Sequence, residues 1–179
     1  MRVWNLGLSN LLDVVLAPGR DAMKTRSTVG FVVIAFIAGF VATVMFNQSA
    51  GFLLNKLGLA PSGFTPWALD PVPPWGVPTV ISKAFWGGLW AIPLGLVLRF
   101  TRGGAYWASW VLLGAVLPSL VGIFIVPPLK GLPIPDFASR FPFGATVNAA
   151  WGFGTALILR LADVASRRSA ARPKSERAS

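Results

Sequence analysis

The chain has 179 residues, of which 54% are hydrophobic and only 12% charged, with a net charge of +10 and neither cysteine nor histidine. Soluble domains carry about 25% charged residues, so an ordinary globular fold is excluded. With cysteine and histidine absent, thiol nucleophiles, Cys/His zinc sites, bis-histidine haem ligation and Ser-His-Asp triads are excluded too.

The charges are clustered. None falls between Arg26 and Lys56, between Arg102 and Lys130, or between Arg140 and Arg160, and only Lys83 interrupts the stretch from Asp70 to Arg99. Each gap holds an apolar run near the ~20 residues that cross a hydrocarbon core. The expected fold is all-α: a polytopic membrane four-helix bundle, arranged as two repeated helical hairpins, with a short N-terminal interfacial helix. Residues 1–26 form the cytoplasmic N-terminal segment, 27–163 the transmembrane domain and 164–179 a basic cytoplasmic tail.

In chain order, residues 1–20 make a poor signal peptide, because Asn5, Ser9, Asn10 and Asp13 interrupt any apolar core. Trp4, Leu8, Leu11, Leu12, Val15 and Leu16 instead fit one apolar helical face lying on the membrane surface. The first span covers 28–46 and continues as a helix toward Leu57. A connection with Pro61, Pro66, Pro71, Pro73, Pro74 and Pro78 follows, and proline's missing N–H makes it extended and turn-rich. Two readings stay open for it: a lid over the bundle, or an interfacial connector whose Phe64, Trp67 and Trp75 suit the water–lipid boundary.

The second span covers 78–99 and the third 106–126, joined by a Thr101-Arg102-Gly103-Gly104 turn. A second proline-rich loop, PPLKGLPIPDF, leads to the fourth span, 143–162. The tail from Arg167 is polar and basic, and its composition suits disorder. Arginine and lysine gather before the first span, between the second and third, and after the fourth, whereas the two opposite loops hold only Lys56, Lys130 and Arg140. Positive residues favour the cytoplasmic side, which places both termini there.

An internal echo divides the spans into hairpins. Shifted so that Gly87 falls on Gly152, KAFWGGLWAIPL overlies NAAWGFGTALIL, matching Ala84, Trp86, Ala91 and Leu94 to Ala149, Trp151, Ala156 and Leu159. Separately, IAGFVATVMFNQSAGFLLNKLGL, followed by a proline loop and a Trp-Gly-bearing span, resembles small four-span bacterial membrane proteins of unknown function. The resemblance covers the four spans, implies the architecture and a multi-pass place in the bacterial inner membrane, and transfers no functional residue.

Helices in lipid associate where small residues allow close approach and polar groups pair. Residues four apart share a helical face, and three spans carry such stripes: Lys83-Gly87-Ala91-Gly95, Gly144-Asn148-Gly152-Ala156 and Ala35-Gly39-Thr43-Asn47-Gly51. Gly39, Gly87, Ala91, Gly95, Gly152 and Ala156 are the expected packing residues. Lys83 lies roughly 7 Å into its helix at ~1.5 Å per residue, level with Asn47, Thr43, Ser119 and Asn148. These five are the candidate lining of an outward-facing polar pocket. Pro93 and Pro118, inside spans, can kink helices around such a cavity.

All six acids lie outside the spans, leaving no carboxylate for proton coupling within the membrane. No catalytic residue, metal site or cofactor is expected. The partners expected are the lipid bilayer and either a second copy or another membrane protein; nucleic acid is not expected. Two functions fit: a non-enzymatic structural or accessory subunit, or a binding or transport protein for an anion, lipid head group or polar solute using Lys83.

Overall fold

The computed structural model describes residues 28–171, with side chains to Arg168. The interfacial helix expected within 1–26, and 172–179 of the tail, lie outside the described residues. The chain is mostly helical. Helix α1 spans Thr28–Lys56, α2 Thr79–Leu98, α3 Gly103–Phe124 and α4 Phe137–Ala171. A single helical turn, Val126–Leu129, extends α3. The proline-rich connection between α1 and α2 folds into turns and a minimal antiparallel hairpin, with Pro71 opposite Pro78 and Val72 opposite Val77.

Among the described residues, three helices are long and apolar enough to cross a membrane: α1, α2 and the run Gly103–Leu129. The fourth is long but less apolar, and its position explains why. Helix α1 packs on α2, α3 packs on α4, and α1 also packs on α4, whereas α2 and α3 scarcely meet. The middle of α4 is therefore enclosed by protein: Val147, Trp151, Gly152, Gly154, Thr155 and Ala156 are all buried. A helix covered by its neighbours needs close-packing residues more than it needs apolar ones.

Helix α4 begins at Phe137, earlier than the 143–162 expected from Pro142. Asp136 supplies the cap: its Oδ2 accepts from the Ser139 backbone N–H at 2.8 Å, and its carbonyl accepts from Ser139 Oγ at 3.1 Å. A side-chain acceptor three residues before a free helical N–H is the standard N-cap arrangement. The other end also runs further, to Ala171, so residues 167–171 of the tail are helix where composition suited disorder. Ser166 Oγ donates to the Ala162 carbonyl at 2.8 Å and Arg167 pairs with Asp163 at 3.2 Å.

The close approaches fall on glycines. A Cβ at Gly39 would strike the Gly87 carbonyl oxygen and lie 2.5 Å from Ala91 Cβ, so α1 and α2 meet backbone to backbone. In the other hairpin, a Cβ at Gly152 would strike the Trp110 carbonyl oxygen, and one at Gly114 would lie 3.0 Å from Gly152 Cα. Gly87 and Gly152, matched in the sequence echo, thus do the same work in α2 and α4. The equivalence ends there: Trp151 is 2% exposed and Trp86 59%, because α4 is central and α2 peripheral.

Within α1, residues Thr43–Asn47 form a π-helical segment. The Gln48 backbone N–H reaches the Thr43 carbonyl, five residues back. Such wide turns often sit where a helix presents functional groups.

Candidate functional site

The polar residues around this segment form a chain of hydrogen bonds. Asn47 Nδ2 donates to Asn148 Oδ1 at 3.1 Å and to the Val147 carbonyl at 3.2 Å. Asn148 Nδ2 donates to Ser119 Oγ at 2.9 Å, and Ser119 Oγ donates to the Ala115 carbonyl at 2.6 Å. One chain thereby ties α1, α4 and α3 together at a single level. Buried amides are costly unless paired, and here each finds its partner in a neighbouring helix.

Toward the proline-rich loop the chain continues through Gln48, which is 1% exposed. Gln48 Nε2 donates to Asn47 Oδ1 at 3.0 Å, while its Oε1 accepts from the Trp67 backbone N–H at 3.0 Å. Trp67 also donates from Nε1 to the Val44 carbonyl at 2.8 Å, a carbonyl inside the π-helical segment. Trp67 adopts φ 49°, a left-handed backbone uncommon for a residue with a side chain. The loop is thus pinned to α1 at two points of one tryptophan.

Thr43 is placed differently. It is buried, donates to the Gly39 carbonyl at 2.9 Å and faces Gly87. Trp151 Nε1 donates to the same Gly39 carbonyl at 3.0 Å. Gly39, Thr43, Gly87 and Trp151 therefore form the junction of α1, α2 and α4.

Lys83 stands apart from both groups. It lines a cavity of about 370 Å³ at the end where α2 and α4 begin, together with Asp70, Thr79, Arg140, Phe64 and Phe143. Its ammonium lies 5.3 Å from the centre of the Phe64 ring, a cation–π contact. Phe64 in turn meets Phe143 edge to face at 4.8 Å, and a Cβ at Gly51 would lie 2.5 Å from its Cζ. Gly51 therefore makes room for Phe64, and the loop covers part of this end.

Of the five candidate pocket residues, the structure brings Asn47, Asn148 and Ser119 into one chain, puts Thr43 at the helix junction and puts Lys83 in the cavity. Among the described residues, neither Lys83, Arg140 nor Asp70 forms an ion pair. The packing residues Gly39, Gly87, Ala91, Gly152 and Ala156 are at helix contacts as described, and Gly95 faces Phe31, 3.1 Å from where its Cβ would lie.

Sequence reasoning passed over Arg140, Gln48 and Trp151 as site or junction residues. Arg140 was readable: Asp136 is a good N-cap residue, and a helix started there puts Arg140 in its first turn. Gln48, adjacent to Asn47 in an otherwise apolar run, carried a weaker signal of interior pairing.

The opposite end has its own cations. Arg160 lies over the Tyr106 ring at 4.6 Å and Arg99 over Phe100 at 4.7 Å. Tyr106 donates from its hydroxyl to the Ala156 carbonyl at 3.0 Å. No protein-family model, curated protein or solved structure matches the chain.

Proposed function

We propose that this chain is a non-enzymatic, multi-pass protein of the bacterial inner membrane that binds a small anionic group at its outer end. In this reading α4 completes a four-helix bundle, and both termini are cytoplasmic. The excess of arginine at the Arg99 and Arg160 end supports that orientation. The observation behind the binding assignment is that Lys83 on α2 and Arg140 on α4, both exposed, line one cavity and have no ion pair among the described residues. Two cations from different helices on one cavity are suited to an anion that accepts from both.

Binding is better supported than transport. The interior polar groups Asn47, Asn148, Ser119 and Gln48 pair with one another, and none of them lines the cavity. The same dovetailed interior favours a second reading, a structural or accessory subunit in which the cavity has no ligand.

Thermal unfolding of the purified full chain, with and without inorganic phosphate, separates the two. Lys83→Met keeps the ligand-free melting temperature of the parent and loses the phosphate-induced rise. An equal rise in parent and variant leaves the subunit reading standing. The topology is tested with Ser62→Cys and Ser175→Cys, labelled by an impermeant maleimide. Labelling from opposite sides of the membrane is expected, and labelling of both from one side rejects the four-span arrangement.

A further inference from the structure

We infer that the cavity takes a zwitterionic phosphate ester of the phosphoethanolamine type, with its phosphate between Lys83 and Arg140 and its ammonium group on Asp70. This rests on the anion-binding reading above and narrows it to a chemical class.

Three observations point there. The first is the pair of cations. A guanidinium presents planar, forked donors that match phosphate or carboxylate oxygens, and a lysine adds a mobile point charge. An oxyanion with several acceptor atoms can offer a separate oxygen to each wall and match the guanidinium fork, whereas a halide offers both a single atom.

The second is Asp70. Its carbonyl accepts from both the Thr79 backbone N–H, at 3.0 Å, and Thr79 Oγ1, at 2.9 Å. These bonds fix the Asp70 backbone against the start of α2, and Asp70 lines the cavity. Thr79 and Lys83 are four residues apart on α2, about one turn or ~6 Å along the axis. Asp70, Thr79 and Lys83 thus line the same cavity, which holds a carboxylate as well as an ammonium. Asp70 has no ion pair with either cation. A purely anionic ligand would be repelled by that carboxylate, whereas a ligand cationic at its other end would neutralise it.

The third is size and lining. About 370 Å³ lies within the ~300–1,000 Å³ typical of small-molecule sites and exceeds what a bare inorganic ion fills. Phe64 and Phe143 supply an apolar wall for the carbon linker, and Ser62 and Thr65 add hydroxyls at the loop side. The cavity sits where α2 and α4 begin, which the four-span reading puts near the lipid head groups. The ligand can accordingly be the head group of phosphatidylethanolamine or a free phosphoethanolamine ester.

The test compares phosphoethanolamine, glycerol phosphate and inorganic phosphate by titration against the detergent-purified full chain and its Lys83→Met, Arg140→Gln and Asp70→Asn variants. The parent is expected to bind phosphoethanolamine about tenfold more tightly than glycerol phosphate, the gain of one charged hydrogen-bonded contact. Asp70→Asn should abolish that preference without weakening glycerol phosphate, because its backbone bonds to Thr79 remain. Lys83→Met and Arg140→Gln should weaken both esters. Equal affinity of the parent for the two esters, with both still weakened by the cation variants, overturns the zwitterion inference and leaves the anion site. Indifference to both cation variants overturns the anion site as well.

Nanodiscs of phosphatidylethanolamine or phosphatidylglycerol, read by native mass spectrometry, distinguish the sources. Selective retention of phosphatidylethanolamine, lost in Asp70→Asn, supports the lipid. Binding of the free ester without lipid retention supports the solute. Failure of both overturns the inference.

Discussion

Trp151 on α4 donates its indole N–H to the carbonyl of Gly39 on α1 at 3.0 Å, a bond possible only because no side chain at Gly39 or Gly87 fills the junction. Thr43 shares the same acceptor at 2.9 Å. One backbone oxygen thus fastens the two hairpins together. Replacing Trp151 with Phe keeps most of the apolar contact and removes the donor. The expected cost is about 1 kcal/mol, read as a lower midpoint in thermal unfolding of detergent-purified protein. Trp86→Phe, at the echoed but exposed position, should leave the midpoint unchanged.

The glycine contacts make a graded prediction. Gly39→Ala and Gly152→Ala each drive a methyl group into a facing backbone carbonyl, and backbone cannot swing aside as a side chain can. Each should destabilise the protein by about 1–3 kcal/mol. Gly122→Ala, on α3 with open space around it, should be neutral or slightly stabilising through helix propensity. Equal midpoints for all three variants would refute the close-approach account.

The amide chain predicts coupling rather than a large single effect. A double-mutant cycle on Asn47→Ala and Asn148→Ala should return about 0.6 kcal/mol of interaction, and at most ~2 kcal/mol, the range found for hydrogen bonds between membrane helices. A coupling of zero would mean the 3.1 Å contact contributes nothing to stability.

Loop anchoring is tested by hydrogen exchange. Gln48→Ala removes the acceptor for the Trp67 backbone N–H and leaves the Val44 contact. Exchange across residues 57–78 should quicken, with the centres of α1 and α4 unchanged. Gly51→Ala should displace the Phe64 ring and quicken the same region, since its added Cβ would lie 2.5 Å from that ring.

At the start of α4, Asp136→Ala removes the Ser139 cap. About 1 kcal/mol of local stability should be lost, seen as faster exchange at Ser139 and Arg140. Loss of anion binding in this variant would tie the cavity to the placement of Arg140.

The helices were legible in the sequence because lipid-crossing length and charge gaps are strong, local signals. The pairing of Asn47 with Asn148 was legible as a shared depth, since a stripe of residues four apart fixes both face and level. Arg140 was not grouped with Lys83, because Pro142 suggested a later helix start and hid the cap at Asp136. The central position of α4 was hidden for another reason. Which of two similar hairpins contributes the middle helix depends on packing between hairpins, and that is decided by contacts such as Trp151 with Gly39, far apart in the chain. The anchoring of the loop was not legible, because Gln48 reaching Trp67 is a long-range bond with no local pattern.

A four-residue repeat does not keep time with a helix of ~3.6 residues per turn; it creeps around the cylinder by ~40° at each step. Along Ala35, Gly39, Thr43, Asn47 and Gly51 that creep would carry the last members away from their partners. The widened turn at Thr43–Asn47 slows the rotation just where Asn47 must meet α4 and Gly51 must admit Phe64. Ordinary winding through the same five residues would carry everything beyond further round the cylinder and turn Gln48 and Gly51 away from the loop, whereas deleting one residue from the wide turn would leave them nearly in phase. The fit between the first helix and its covering loop is therefore a matter of phase, kept by a wide turn that absorbs a single supernumerary residue.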